Sequence, residues 1–223
     1  MGVYSFSNTR SEARKIKDIE VRFMGDGNHF MTSQNVNNLL IQSFPKTSNI
    51  NKTNIDLNSL ELILLSHDLI RKADIYTTVD GKLKADVWQK RAIGRVVYNE
   101  NSYYIDSEGG QMPLSSNFSA RVPMIEGDVN EKNKSKLAGI LKHIDEDNFL
   151  KKNITGIVIQ KDQTLIMRSR DQDFKILFGG FEDASLKFEN LKAFLNFISN
   201  DEELMNSYKT INLKFTQQVV CTK

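Results

Sequence analysis

The chain has 223 residues, 39% hydrophobic and 26% charged, which suits one large or two small folded domains. Thirty basic and 28 acidic side chains leave a formal charge of +2, spread along the chain, so the concentrated positive charge of a nucleic-acid binder is missing. A single cysteine, Cys221, excludes an internal disulfide without settling the compartment.

Residues 1–17 are polar and aperiodic and read as a tail, with Arg14, Lys15 and Lys17 a solvated basic cluster. No signal peptide is visible, and the opening Met1-Gly2 suggests a start placed downstream of a natural membrane anchor. The stretch "IEVRFMG" alternates Ile19, Val21 and Phe23 to one face, a strand that ends in the turn "GDGN". Thr32 or Ser33 caps a helix with Val36, Leu39 and Leu40 on one face. After a polar loop over 45–54, Leu57, Leu60, Leu64 and Leu65 recur at helical spacing. The apolar run at 60–65 includes Glu61 and is far too short to span a bilayer. "ADIYTTV" and "LKADVWQ" are strands joined by Asp80-Gly81, a tight hairpin because glycine tolerates positive φ. The order to this point is β-α-α-β-β.

Strands dominate from residue 92. "IGRVVY" and "SYYID" flank Asn99-Glu100, and "SEGGQM" supplies a Gly-rich turn. Residues 131–150 read as one helix with Leu137, Ile140, Leu141 and Ile144 on a face. The strands "ITGIVIQ", "TLIMRS" and "DFKILFG" follow, joined by turns at Lys161-Asp162 and Arg170-Asp171-Gln172. A last amphipathic helix carries Phe188, Leu191, Leu195 and Ile198. The closing stretch "TINLKF" alternates Ile211, Leu213 and Phe215 with Asn212 and Lys214, the pattern of a half-buried strand. The fold class is α+β, with a boundary near residue 92.

Catalytic chemistry finds no constellation. His29, His67 and His143 are isolated, without a second ligand at metal spacing, and read as surface or capping residues. Cys221 lacks a basic neighbourhood to activate it and reads as a packing residue. In the run Asp145-Glu146-Asp147, adjacent helical residues point apart, so a solvated face is expected rather than a cation site. Asp171 and Asp173 flank a turn, "GDGN" lacks phosphate-loop spacing, and Trp88 reads as core or sheet surface. The four N-x-S/T triplets matter only in a glycosylating pathway. Nothing assembles a nucleophile, a base and an oxyanion donor, so no enzyme and no cofactor are expected.

The ordered motifs resemble a known family. "IEVRFMGDGNHFMTSQNVNNLL" is similar to the strand, turn, cap and first helix of the extracytoplasmic region of the bacterial cell-division family FtsQ/DivIB. "NIDLNSLELILLSHDLIRKADIYTTVDGKLKADVWQKRAIGRV" resembles the second helix and hairpin of its POTRA domain, the β-α-α-β-β module. The usual proline of that segment is replaced around Asp68, and the usual "E-R-x-P-V-A" ending reads Gln89-Lys90-Arg91-Ala92-Ile93-Gly94. "YYIDSEGGQM" resembles the family's "Y-x-L-D-x-x-G", and "RVPMIEG" its "L-P-x-L-x-G". "TLIMRSRDQDFKILFGG" resembles a strand pair ending in an apolar-Gly turn, with Leu165 where many members have Trp. "TINLKF" is similar to the closing "V-D-L-R-Y", with Asn212 for Asp and Lys214 for Arg.

The resemblance implies a tail at 1–17 beside a membrane helix, a POTRA domain at 18–91, and a β domain at 92–223. That second domain would be a strand-rich mixed α/β domain with a C-terminal edge strand. The protein would be a non-catalytic divisome scaffold, anchored by one helix in the inner membrane with this region in the periplasm. Its POTRA domain would act in recruitment, and its β domain would bind FtsB and FtsL. An exposed last strand is a template for strand addition by a partner. Thr210, Asn212, Lys214 and Thr216 would form the open face, with Lys214 suited to a partner carboxylate. Ile211, Leu213 and Phe215 would hold the strand on its core, and Phe215 also counts among the partner-binding residues. The same polar face would equally serve to keep a bare edge from aggregating. The family's basic partner contact falls at a turn that here holds Lys161, Asp162 and Gln163, without arginine. The alternative is a POTRA-bearing periplasmic docking or chaperone module for outer-membrane protein assembly.

Overall fold

Chain contacts divide the molecule into two units, one ending at Lys90 and including Ser115–Ser119, the other comprising Arg91–Leu114 and Ala120–Lys223. The computed structural model describes residues 19–25, 30–43, 56–80, 82–98, 101–170, 173–198, 201, 203 and 207–223. The cluster at 14–17, the "GDGN" turn beyond Gly25, His29, the loop at 45–54, Gly81, Asn99-Glu100 and Asp171-Gln172 lie outside the described residues.

The first unit runs β1 (Ile19–Phe23), α1 (Ser33–Ser43), α2 (Leu57–Leu65), β2 (Ile70–Thr77) and β3 (Leu83–Gln89). Its sheet order is β1-β3-β2, with β1 parallel and β2 antiparallel to the central β3. Thr32 caps α1 as expected: its hydroxyl accepts from the Asn35 main-chain amide at 3.2 Å, and the Asn35 side-chain oxygen Oδ1 accepts from the Thr32 amide at 2.9 Å. The helix buries Val36 and Leu40. Asp56 caps α2 by accepting from the Ser59 amide. Only Leu60 and Leu64 of that helix are buried; Leu65 is 43% exposed, because adjacent helical residues cannot share one face. Leu83, Ala85 and Val87 of β3 alternate into the core. Trp88 projects to the other side, half-buried, with the Lys72 ammonium 4.5 Å from its ring centroid. Residues 115–119 join this unit through the Phe30 carbonyl, which accepts from the Ser115 hydroxyl and the Asn117 side-chain amide.

The second unit begins with β4 (Ala92–Tyr98), β5 (Asn101–Asp106), β6 (Gln111–Met112), β7 (Met124–Glu126), α3 (Lys134–Glu146) and α4 (Asn148–Asn153). It continues with β8 (Ile154–Ile159), β9 (Leu165–Ser169), β10 (Lys175–Gly179), α5 (Ala184–Ile198), β11 (Thr210–Asn212) and β12 (Val220–Thr222). Nine strands form one mixed sheet in the order β12-β11-β10-β9-β8-β7-β4-β5-β6. Inward residues Ile125, Ile157, Met167, Ile176 and Ile211 meet Leu141 of α3, Leu150 of α4 and Phe188 of α5 in one core.

The expected single helix over 131–150 is two. Asp147 takes an extended conformation (φ −100°, ψ 115°), and its carboxylate accepts from the amides of Phe149 and Leu150 to start α4. Lys192 donates to its other oxygen at 2.7 Å, and that bond, with the amide contacts, holds the carboxyl below the usual range. Asp145 pairs with Arg91 and Lys151, and Glu146 lies near Lys142. The acidic run is therefore largely tied into structural ion pairs rather than simply solvated. Among the described residues no group of three His, Cys, Asp or Glu side chains gathers as a metal site requires.

Two motif glycines have a steric reason. Gly127, after β7, has φ +106°, and a Cβ there would overlap the Ile159 carbonyl oxygen. Gly179, ending β10, has φ +82° and would bring a Cβ to 3.0 Å from Lys214 Cγ.

Candidate partner-binding edge

The closing strand is shorter than its alternation predicts. Pairing with β10 runs Lys175↔Thr210, Ile176↔Ile211 and Leu177↔Asn212, in parallel. The Leu213 amide still donates to the Leu177 carbonyl, but the Asn212 side-chain oxygen then accepts from the Lys214 amide at 3.0 Å. That local turn bends the chain off the sheet. Lys214, Phe215 and Thr216 consequently sit at the tip of a hairpin, not on a strand. Phe215 is 55% exposed, and so does not hold the strand on its core as expected; Ile211 and Leu213 do, at 0% and 1%. Asn190 of α5 donates to the Thr216 carbonyl at 2.8 Å and steadies the tip.

The far side of β11 is also not open. β12 returns antiparallel along it, with Thr210↔Thr222, Ile211↔Cys221 and Asn212↔Val220. The hydroxyls of Thr210 and Thr222 lie 2.5 Å apart across the pair, on the sheet face away from the helices. The edge of the sheet is therefore β12, one strand further out. The signal for it was Val219-Val220-Cys221-Thr222, a run of residues that favour strands after the polar Thr216-Gln217-Gln218. Cys221 is half-buried against the core, and burial pushes its thiol above the ordinary range, away from a nucleophile's requirement.

Beside the hairpin tip, a groove of about 490 Å³ opens on the sheet face away from the helices. Ile166 and Leu177 line it together with Lys161, Asp162 and Lys214. Asp162 accepts from the Thr164 hydroxyl and amide, at 2.7 and 3.0 Å. These bonds, with nearby Lys214, hold its carboxyl below the usual range. The turn thus offers a carboxylate between two lysines. His67 accepts from the Leu69 amide as a local cap, and His143 stacks on Phe188; neither is among the residues that line this groove.

A family model described as "FtsQ/DivIB, C-terminal related" matches residues 91–222, and a POTRA-like domain matches residues 15–88. The chain belongs to the FtsQ/DivIB family. It has an N-terminal POTRA-like domain and a strand-rich second domain, and its family is one of non-catalytic proteins of cell division. Among solved structures, the chain is similar to the trans isomer of the major extracytoplasmic domain of the bacterial cell-division protein DivIB from Geobacillus stearothermophilus. The identity is 11% and the TM-score 0.38, over 50% of this chain and 96% of that one. No curated protein matches the chain. No helix among the described residues of this FtsQ/DivIB protein is long and apolar enough to cross a membrane.

Proposed function

We propose that the chain is the periplasmic part of a single-pass inner-membrane divisome scaffold, without enzymatic activity, that binds FtsB- and FtsL-type partners by strand addition. In this reading residues 1–17 are a juxtamembrane tail, 18–91 the POTRA domain and 92–223 the β domain. The observation that carries it is the C-terminal edge: β12 is last in the sheet order, and Val220, Cys221 and Thr222 bring no charge to it. An uncharged edge strand is a template for a further strand. A partner strand would pair with β12 through main-chain groups. Lys214, Phe215 and Thr216 at the tip, with Thr210 and Asn212 on the adjoining face, would select its side chains. Lys214 suits a carboxylate and exposed Phe215 an apolar anchor.

Calorimetric titration with the extracytoplasmic segments of FtsB and FtsL tests this. The expected result is binding by the wild type, weakened about tenfold or more by Phe215→Ala and by Lys214→Glu, with unchanged melting temperatures. If the wild type binds neither segment, or both variants bind as well as it does, the reading fails.

A further inference from the structure

The ladder between β7 and β8 stops at Met124↔Gly156. Beyond that pair, residues 121–123 and 153–155 are no longer paired with each other. The split is a groove of about 790 Å³, five strands from the β12 edge in the sheet order. Its lining includes Arg121, Lys151, Lys152 and Arg170 and no acidic side chain. In a chain with a formal charge of only +2, this is a local concentration of positive charge.

The cations differ in what already holds them. Lys151 is neutralised by Asp145 at 2.8 Å, a carboxylate that Arg91 also reaches. Arg170 is anchored rather than neutralised: its Nε donates to the Lys152 carbonyl at 2.8 Å and its amide to the Asn153 carbonyl, leaving the terminal nitrogens of the fork for an acceptor. Arg121 and Lys152 are exposed and make no ion pair within the described residues. Half-buried Val122 and Met124, 46% exposed, alternate with Arg121 and Pro123 along one wall.

We propose that this groove binds an extended acidic peptide segment in which carboxylates alternate with apolar side chains. The carboxylates pair with Arg121, Lys152 and the Arg170 fork, and the apolar side chains cover Val122 and Met124. A bare phosphate would use the cations but leave the apolar wall uncovered, which favours a peptide. The site goes beyond strand addition at β12 and stands on different residues.

The probe is a fluorescein-labelled eight-residue peptide of alternating Glu and Leu, titrated into the full chain and followed by anisotropy. A Gln/Leu peptide of the same length is the neutral control. The Glu/Leu peptide should bind at least ten times more tightly than the control, and its affinity should fall with added salt. Arg121→Glu/Lys152→Glu should abolish binding, while Arg121→Lys/Lys152→Arg should keep it, with circular dichroism showing both folded. Lys132→Glu/Lys136→Glu, which reverses exposed charges outside the groove, should leave it intact. Equal binding of the two peptides overturns the proposal, as does equal weakening by both charge-reversal pairs. Vesicles of phosphatidylglycerol and phosphatidylcholine form the second arm. Binding to them that needs Arg121 and Lys152, with no binding of the Glu/Leu peptide, would assign the groove to lipid headgroups and overturn the peptide assignment.

Discussion

The two sheets treat their edges in opposite ways. In the first unit, Arg22 of β1 spans the sheet: it pairs with Asp86 of β3 at 2.9 Å and donates to the Tyr76 hydroxyl of β2 at 2.7 Å. Lys84 of β3 reaches Glu20 of β1, and Lys72 pairs with Asp74 along β2. Glu61 of α2 even accepts from the Ile75 amide of β2, at 2.7 Å, so a side chain occupies a main-chain donor. In the second unit, β12 has neither charge nor a capping side chain of this kind among its three residues. Charge and capping are how folded proteins keep edges from pairing with other chains. One sheet is shielded by its own side chains, and the other ends on a strand that is not. The contrast supports placing the partner at β12 rather than at β2.

The largest test asks whether β11 really belongs to the core. Ile211 is fully buried between the sheet and the helices. Ile211→Ala should therefore cost about 2–5 kcal/mol in urea unfolding of the second unit, the range for truncating a buried aliphatic side chain. A cost near zero would mean that the hairpin is peeled from the sheet in solution, and the edge would then be β10.

A smaller effect probes the shielded sheet. Glu61→Ala removes the acceptor of the Ile75 amide and should destabilise the first unit by about 1–2 kcal/mol. It should also raise concentration-dependent self-association, measured by sedimentation velocity, because β2 regains a free donor. Glu61→Gln, which keeps an acceptor oxygen, should associate no more than the wild type. If Glu61→Ala also associates no more than the wild type, the capping of β2 has no protective role and the contrast between the sheets weakens.

Much of this arrangement is legible in the chain, and what is not has a physical cause. The β-α-α-β-β order, the Thr32 cap and the long strands follow from periodicity and capping, which span many residues. The break at Asp147 is hidden because a charged residue on a helix's polar face and a helix N-cap look alike until the amides they meet are placed. The end of β11 is hidden for a similar reason. Asn212 fits strand alternation as an outward polar residue, and only its bond to the Lys214 amide shows that it turns the chain. With strands of three residues, β7 and β12 are too short for a period to register. The predicted site residues thus fall into two groups, Thr210 and Asn212 on the strand, and Lys214, Phe215 and Thr216 at the tip. The edge itself lies at β12, which the alternation of β11 could not reveal.

The least destabilising test separates the edge's structural bonds from those it offers outward. Along an antiparallel edge strand, amides point alternately to the inner neighbour and to solvent. Proline removes one amide at a time and is tolerated on edge strands where that amide faces outward. Single prolines at Val220, Cys221 and Thr222 should therefore alternate in effect. Where the amide faces β11, thermal melts should show a loss of about 1 kcal/mol. Where it faces outward, stability should hold within about 0.5 kcal/mol. Strand addition requires that these outward positions, stable as they are, lose binding to the FtsB or FtsL segment. Should binding survive at every stable proline variant, the partner does not pair with β12, and the uncharged edge needs another explanation.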